Sequence, residues 1–438
     1  MSEFLQIEGG SKIAGRVRVS GAKNSSLPLM IATLLSSSEC RLENVPDLED
    51  TSVTIRLLSS LGAKAQIEYK EDGGATVVVN AAQLNKSDAP YHLVKMMRAS
   101  FWTLGPLLAR TGYAKIPLPG GDAIGTRPVD IHLNGLSKFG AEYKMKHGVV
   151  EISAPHGLKP ANVHLAFPSV GATHQLLMTA SLIEGETLLS GVAKEPEIIE
   201  MAQFLSSMGA KIEGAGTDII KINGRRELGS GSHKIIGDRI EAITYLSAAA
   251  ITGGEVQVDG ITSNELAASL EVLQLAGCNI ESDANSQSIF LRAPKFGSLK
   301  PFSFKTEPFP GVATDTQPML LAVATLAEGT SVVNETIFEN RFQHVAEYRR
   351  FGADIKIDGR VATVHGVKQL SGAPCEANDI RAGAGLVLMA LAAEGESEIY
   401  GVHHIDRGYD GLESKMKNLG VKIRRERDES KQEIIIGC

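Results

Sequence analysis

Hydrophobic runs of helical length that end at a glycine, each followed by alternating apolar and polar positions, recur along the whole chain. The junctions are Leu61-Gly62-Ala63-Lys64, Phe139-Gly140-Ala141-Glu142, Met208-Gly209-Ala210-Lys211, Ala276-Gly277-Cys278-Asn279, Phe351-Gly352-Ala353-Asp354 and Leu419-Gly420-Val421-Lys422. Successive glycines lie 68 to 78 residues apart, which points to six copies of one unit. Each glycine reads as a helix C′ cap. The alternation after the first, Ala65-Gln66-Ile67-Glu68-Tyr69 and then Thr76-Val77-Val78-Val79, predicts a half-buried hairpin.

A second landmark lies elsewhere in the unit, where an Ala/Leu-rich helix stops at a glycine and a strand begins. It appears as Glu184-Gly185-Glu186-Thr187, Gly253-Gly254-Glu255-Val256, Glu328-Gly329-Thr330-Ser331 and Glu394-Gly395-Glu396-Ser397. Each unit therefore holds two helices and several short strands. Its length exceeds that of solenoid repeats, so compact units gathered into two lobes of three are expected. The crossing is placed near Ile235-Ile236-Gly237, with the low-complexity Gly229-Ser230-Gly231-Ser232 as a hinge.

A third landmark opens one helix in every unit: Lys23-Asn24-Ser25-Ser26, Arg98-Ala99-Ser100, Ser169-Val170-Gly171-Ala172-Thr173, Asp238-Arg239-Ile240-Glu241, Thr314-Asp315-Thr316 and Asp379-Ile380-Arg381-Ala382. Ser, Thr, Asp and Asn at such positions ordinarily cap orphan amides. Lys23, Arg98, Arg239 and Arg381 are different, because the helix dipole disfavours cations at an N-terminus unless an anion compensates. Helix starts brought together in this way would suit an anionic ligand.

With 438 residues, 43% of them hydrophobic, the chain can bury a large core. Its formal charge of -7 gives no general attraction to nucleic acid or an anionic membrane, so an anionic ligand has to be held by local cations. Cys40, Cys278, Cys375 and Cys438 form no CxxC pair, and His403-His404, read as a strand, do not face one another; neither a disulfide framework nor a metal site is expected. No leader or membrane-spanning run is read, and a cytoplasmic protein is expected. Residues 119–130, Pro-Gly-Gly-Asp-Ala-Ile-Gly-Thr-Arg-Pro-Val-Asp, read as a mobile lid that carries Asp122 over an anionic substrate, with Arg127 at its far end. The only tryptophan, Trp102, is read as core packing.

Ser20-Gly21-Ala22-Lys23-Asn24, Lys95 to Trp102, the lid, Ser169 to Thr173, Glu195-Pro196-Glu197, Asp238 to Glu241, Phe338 to Phe342, Asp379-Ile380-Arg381 and His404 to Tyr409 resemble the UDP-N-acetylglucosamine enolpyruvyl transferases of bacterial peptidoglycan synthesis. The resemblance runs from about residue 5 to residue 424. It implies an inside-out α/β barrel with helices inside and sheets outside, in two pseudo-symmetric lobes of three repeated units. The first lobe would be residues 22–236, and the second residues 1–21 with 237–438. The implied reaction moves the enolpyruvyl group of phosphoenolpyruvate to the 3′-hydroxyl of UDP-N-acetylglucosamine and releases phosphate. It is the first committed step of cell-wall synthesis, on which cell shape and division depend.

The resemblance further implies no cofactor and no metal; with the net charge above, no nucleic-acid or membrane partner is expected, and a monomer or weak homo-oligomer is. The resemblance places Lys23, Arg127 and Arg407 at the phosphate, Arg381 with Arg407 at the carboxylate, and Arg98 in support. Asn24, the run Arg127, Pro128, Val129, Asp130 and Ile131, then Ser169, Val170 and Gly171, and Ile337 and Phe338 would hold the nucleotide sugar, with Arg341 a further substrate-binding residue. Asp315 is the candidate base on the sugar hydroxyl, and Asp122 the candidate acid.

Most relatives carry Cys where this chain has Asp122, although a minority carry Asp. An aspartate starts near pKa 3.9 rather than about 8.5, so burial or neighbouring carboxylates must raise it for a proton to stay at neutral pH, while Arg127 and Lys23 push the other way. Covalent inactivation by fosfomycin, which alkylates the family thiolate, is not expected here. Phe167-Pro168, Lys194, Ala242-Ile243 and Pro310 to Asp315 also depart from the common pattern. They leave open a paralogue acting on another nucleotide or sugar, or a silent homologue that binds the nucleotide sugar.

Overall fold

The structure is a computed structural model that describes residues 2–70, 73–121, 124, 125, 128–283 and 285–428. Its organising elements are six helical segments that open on the polar signatures. They are Lys23–Ala32, Arg98–Thr103 continuing as Leu104–Thr111, Val170–Ser181, Arg239–Thr252, Thr314–Thr316 continuing as Gln317–Ala324, and Ile380–Ala392. A helix apolar all round has no face to give to water. Accordingly every residue of Gln317–Ala324 and Ile380–Ala392 is buried.

Two of the six open as 3₁₀ turns rather than as regular helix. Pro106 and Pro318 lie at the start of the α-helical parts and cannot donate, so the turn ahead tightens.

After each core helix the chain repeats one itinerary of strand, outer helix, glycine and hairpin. The outer helices are Glu49–Ser60, Asp130–Lys138, Pro196–Ser207, Ala267–Leu275, Val345–Arg350 and Leu412–Asn418. The glycine past each one takes φ between 89° and 113°, which only a residue without a Cβ adopts freely. Among the described residues the strands form six sheets of three or four strands, one per repeat, outside the core helices, plus one two-stranded ribbon.

Contacts divide the described chain into two compact units, each with its own apolar core. One takes the chain up to Val19, Ile124, Gly125 and everything from Gly237 on. The other takes Ser20–Gly121 and Pro128 to Ile236. In the first unit, the core helices Arg239–Thr252, Gln317–Ala324 and Ile380–Ala392 pack on one another. In the second, Leu104–Thr111 packs on Val170–Ser181, and Lys23–Ala32 joins them through Pro196–Ser207.

The units share one strand order. The sixth repeat ends at Lys422–Asp428, and the strand that would complete its hairpin is supplied by Ser2–Glu8, antiparallel to both Glu396–Tyr400 and Lys422–Asp428. Ala14–Arg18 then runs parallel to Glu255–Asp259, just as Ser232–Lys234 runs parallel to Glu39–Val45. The two crossings match: Val19 N donates to Asp259 O at 3.0 Å, and Ile235 N donates to Glu43 O at 2.9 Å. Each then passes a glycine, Gly21 or Gly237, where a Cβ would collide with the carbonyl of Asn44 or Gly260.

The Gly229–Ser232 stretch, expected to be a hinge, is bound in place. Gly229 N donates to Met208 O and Gly231 O accepts from Arg41 N, both at 2.8 Å. A Cβ on Gly231 would meet Met208 and Phe204, so these glycines serve close approach. Among the described residues no helix is long and apolar enough to cross a membrane.

Candidate functional site

In the second unit the site residues cluster at helix starts. Lys23 opens its helix without a side-chain cap, and its ammonium lies 2.9 Å from Asp50 Oδ2, the two side chains being 8% and 4% exposed. Asp50 occupies the first turn of Glu49–Ser60, where the dipole favours a carboxylate. Asn24, beside Lys23, is half-buried. Arg98 Nη2 donates to Pro128 O at 3.2 Å, which ties the first 3₁₀ turn to the segment leading through Val129 into Asp130–Lys138. Ile131 is half-buried there.

The start of Val170–Ser181 is held from several sides. Ser169 caps it by accepting from Ala172 N at 3.3 Å. Trp102 Nε1 donates to Gly171 O at 2.9 Å, so the half-buried indole fixes this helix start as well as packing on the core. His132 Nδ1 sits 2.5 Å from Gln175 Oε1, and its ring backs Gly171, where a Cβ would lie 3.1 Å from His132 Cε1. Burial lowers the pKa of His132 to about 4 and that of His174 to about 3. Both rings are therefore neutral near pH 7.

In the first unit Asp315 stands in the Thr314–Thr316 turn between two guanidinium groups. Arg341 Nη2 donates to its Oδ1 at 3.3 Å and Arg381 Nε to its Oδ2 at 3.4 Å. Asp315 stays 28% exposed, whereas the side chain of Arg341 is 1% exposed. Arg341 also donates to Thr314 O at 3.2 Å and lies 3.8 Å from Asp379 Oδ1. Arg341, expected among the substrate-binding residues, thus holds one oxygen of Asp315.

Asp379 caps Ile380–Ala392, its Oδ1 accepting from Arg381 N at 2.8 Å and Ala382 N at 2.9 Å. Burial is the largest influence on Arg381 and opposes its charge, but Asp315, Tyr409 and Asp238 together outweigh it and hold the guanidinium pKa above its usual value. The Arg381 guanidinium also lies 5.6 Å from the centre of the Tyr409 ring. Glu335, fully buried, accepts from Ile337 N at 2.8 Å, Phe338 N at 3.0 Å and Thr314 Oγ1 at 3.0 Å. One carboxylate thereby joins the Asp315 turn to the half-buried Ile337 and Phe338. Arg407 is half-buried at the end of Val402–Asp406. His403 and His404 lie on that short helix rather than on a strand, with ring centroids 4.2 Å apart.

Asp122 and Arg127 lie outside the described residues, as does Cys438. Sequence reasoning passed over Asp50, Glu335, His132 and Gln175. The signal for Asp50 was an acidic first turn, which announces a helix start and says nothing of Lys23. Glu335 carried no signal beyond its place at a strand end.

The EPSP synthase (3-phosphoshikimate 1-carboxyvinyltransferase) family matches residues 7–416. The chain is 46% identical over 428 residues to UDP-N-acetylglucosamine 1-carboxyvinyltransferase 2 of Carboxydothermus hydrogenoformans, covering 98% of this chain and 100% of that one. It is 48% identical over 421 residues to the UDP-N-acetylglucosamine 1-carboxyvinyltransferase of Trichlorobacter lovleyi, covering 96% and 98%. Among solved structures it resembles the enolpyruvyl transferase NikO from Streptomyces tendae, with a TM-score of 0.85, 27% identity and coverage of 97% and 99%. The EPSP synthase of Acinetobacter baumannii, at 18% identity and a TM-score of 0.73 over 98% of this chain and all of that one, shares the fold.

Proposed function

We infer, from the premise that this chain belongs to the EPSP synthase family and within it to the UDP-N-acetylglucosamine 1-carboxyvinyltransferases, that it transfers enolpyruvyl from phosphoenolpyruvate to the 3′-hydroxyl of UDP-N-acetylglucosamine. Phosphate is released, and the product enters peptidoglycan synthesis. The observation that carries this reading is identity of 46% and 48% to relatives of that name, spread over 98% and 96% of the chain.

The chemistry is addition followed by elimination. The sugar hydroxyl attacks C2 of phosphoenolpyruvate while C3 gains a proton; the tetrahedral adduct then loses phosphate and a C3 proton. Asp315 takes the hydroxyl proton, since Arg341 and Arg381 each hold one of its oxygens and fix its direction. Asp122 supplies the proton to C3 from the lid. Lys23, Arg127 and Arg407 bind the phosphate, and Arg381 with Arg407 the carboxylate. Arg98 supports this site through Pro128.

The nucleotide sugar is held by Asn24, by residues 127–131 around the uracil, by Ser169, Val170 and Gly171 at the diphosphate, and by Ile337 and Phe338. The start of Val170–Ser181 offers backbone N–H groups to that diphosphate. Concentrated cations and exclusion of water supply most of the rate. The protein works as a soluble cytoplasmic enzyme without a metal.

The deciding experiment measures phosphate release from phosphoenolpyruvate with and without UDP-N-acetylglucosamine, with mass detection of the nucleotide. Release that needs the sugar nucleotide, and a product bearing enolpyruvyl, is expected. Tight nucleotide binding without release would instead identify a silent homologue. Because the lid carries Asp122 rather than a thiol, incubation with fosfomycin leaves the protein mass unchanged; an adduct at Asp122 would refute this assignment.

A further inference from the structure

The Lys23 ammonium is in an adverse place. It is buried, which disfavours its charge, and it opens a helix, where the dipole disfavours a cation. Arginines stay charged under such conditions, but a lysine does not have to. Of the residues assigned to the phosphate, Lys23 alone needs local help to remain a cation.

We propose that Asp50 is a positioning residue for the reaction, holding the Lys23 ammonium charged and aimed at the phosphate of phosphoenolpyruvate. The proposal rests on the assignment of Lys23 to that phosphate. Its basis is the buried pair itself, Nζ to Oδ2 at 2.9 Å, and the rigidity of both partners. Asp50 O accepts from Thr54 Oγ1 at 2.8 Å, and Thr51 Oγ1 donates to Pro46 O at 2.9 Å, so the first turn of Glu49–Ser60 is pinned to the preceding segment. The Lys23 helix start is fixed to the same region, since Gly21 abuts the Asn44 carbonyl. The two side chains thus meet on a frame that leaves little freedom to either.

Elements packed against Lys23–Ala32 carry other charged groups. Arg98 lies on the first 3₁₀ turn, and Glu197 and Glu200 are buried on Pro196–Ser207. Arg41 and Glu43 on the adjoining strand pair with each other at 3.3 Å. Glu200 is engaged with His233 Nε2 at 2.9 Å and Ile236 N at 2.8 Å. Exposed Glu49 and Arg56 complete the set on Glu49–Ser60.

The test compares Asp50→Asn and Asp50→Glu with wild type, reading kcat/KM for phosphoenolpyruvate against pH and the affinity for UDP-N-acetylglucosamine. Without the carboxylate the lysine loses its proton at lower pH. In Asp50→Asn the alkaline limb of the profile is expected to move down by about one pH unit or more, with kcat/KM near neutrality reduced about tenfold. Sugar-nucleotide affinity stays within about twofold, and Asp50→Glu restores the limb. If Asp50→Asn does not fold, Asp50→Ser, which keeps a good residue for a helix start, is read in the same way.

A limb that stays in place in a folded neutral variant overturns the proposal, as does an equal loss of affinity for both substrates. Lys23→Met separates the premise from the proposal. If it abolishes turnover while Asp50→Asn is unaffected, only the Asp50 role falls; if it leaves phosphoenolpyruvate turnover intact, the assignment of Lys23 falls and the Asp50 role with it.

Discussion

Single side chains in this protein are set to one protonation state by burial. His174 is fully buried, its two ring nitrogens make no hydrogen bond, and its pKa is lowered to about 3; His132 and His344 are lowered to about 4. The folded values lie below the ordinary histidine value of about 6.5, so between these limits the unfolded chain binds protons that the folded chain does not. Stability is therefore complete above about pH 6.5 and falls as pH drops toward 4. Thermal melting at about pH 7 and about pH 5 should show the loss, and His174→Leu, which leaves no polar group behind, should reduce the difference. Gly171 is the other sensitive position. A Cβ there sits 3.1 Å from His132 Cε1 and 3.3 Å from Trp102 Nε1, so Gly171→Ala should raise KM for the sugar nucleotide several-fold with a small change in melting temperature.

Two of the core helices carry the same cap. Asp238 and Asp379 each accept from two backbone amides at a helix start, and each acts on a buried guanidinium, Asp379 on Arg341 at 3.8 Å and Asp238 on Arg381. Asp238→Ala and Asp379→Ala should each cost about 2 kcal/mol, since a cap and a charge beside a buried guanidinium are lost together. Urea midpoints of the two variants measure the loss.

Much of this scale was legible in the sequence. The six glycines announced helix ends because a left-handed residue leaves a compositional mark, and the alternation after Gly62 announced a hairpin because one face is buried. The 3₁₀ openings were not legible, for Arg98 and Thr314 look like ordinary helix starts until the prolines behind them take up their places. Nor was the packing of Gly229–Ser232, since close approach and free rotation call for the same residue. The pairing of Lys23 with Asp50, and of Arg341 with Asp315, depends on how separate helices meet, and no local pattern encodes that.

At the scale of the molecule, the first strand is the piece on which a whole repeat depends. Ser2–Glu8 pairs with a strand on either side, and Leu5 and Ile7 are buried. A chain lacking residues 1–9 would leave Lys422–Asp428 without a neighbour and open the apolar core beneath. It should be insoluble or lose cooperative melting, and solubility with an unchanged melting temperature would contradict the role given to this strand.

The shared strand order has a consequence for inheritance as well as for architecture. Ser2 lies opposite Asp428 in the antiparallel register, at the point where the other unit simply continues through the corresponding hairpin. Joining Asp428 to Ser2 with a short turn and opening the chain before Ser20 would give a permuted gene that reads as two uninterrupted halves in tandem. The second half could then be drifted, exchanged or recombined without cutting the first.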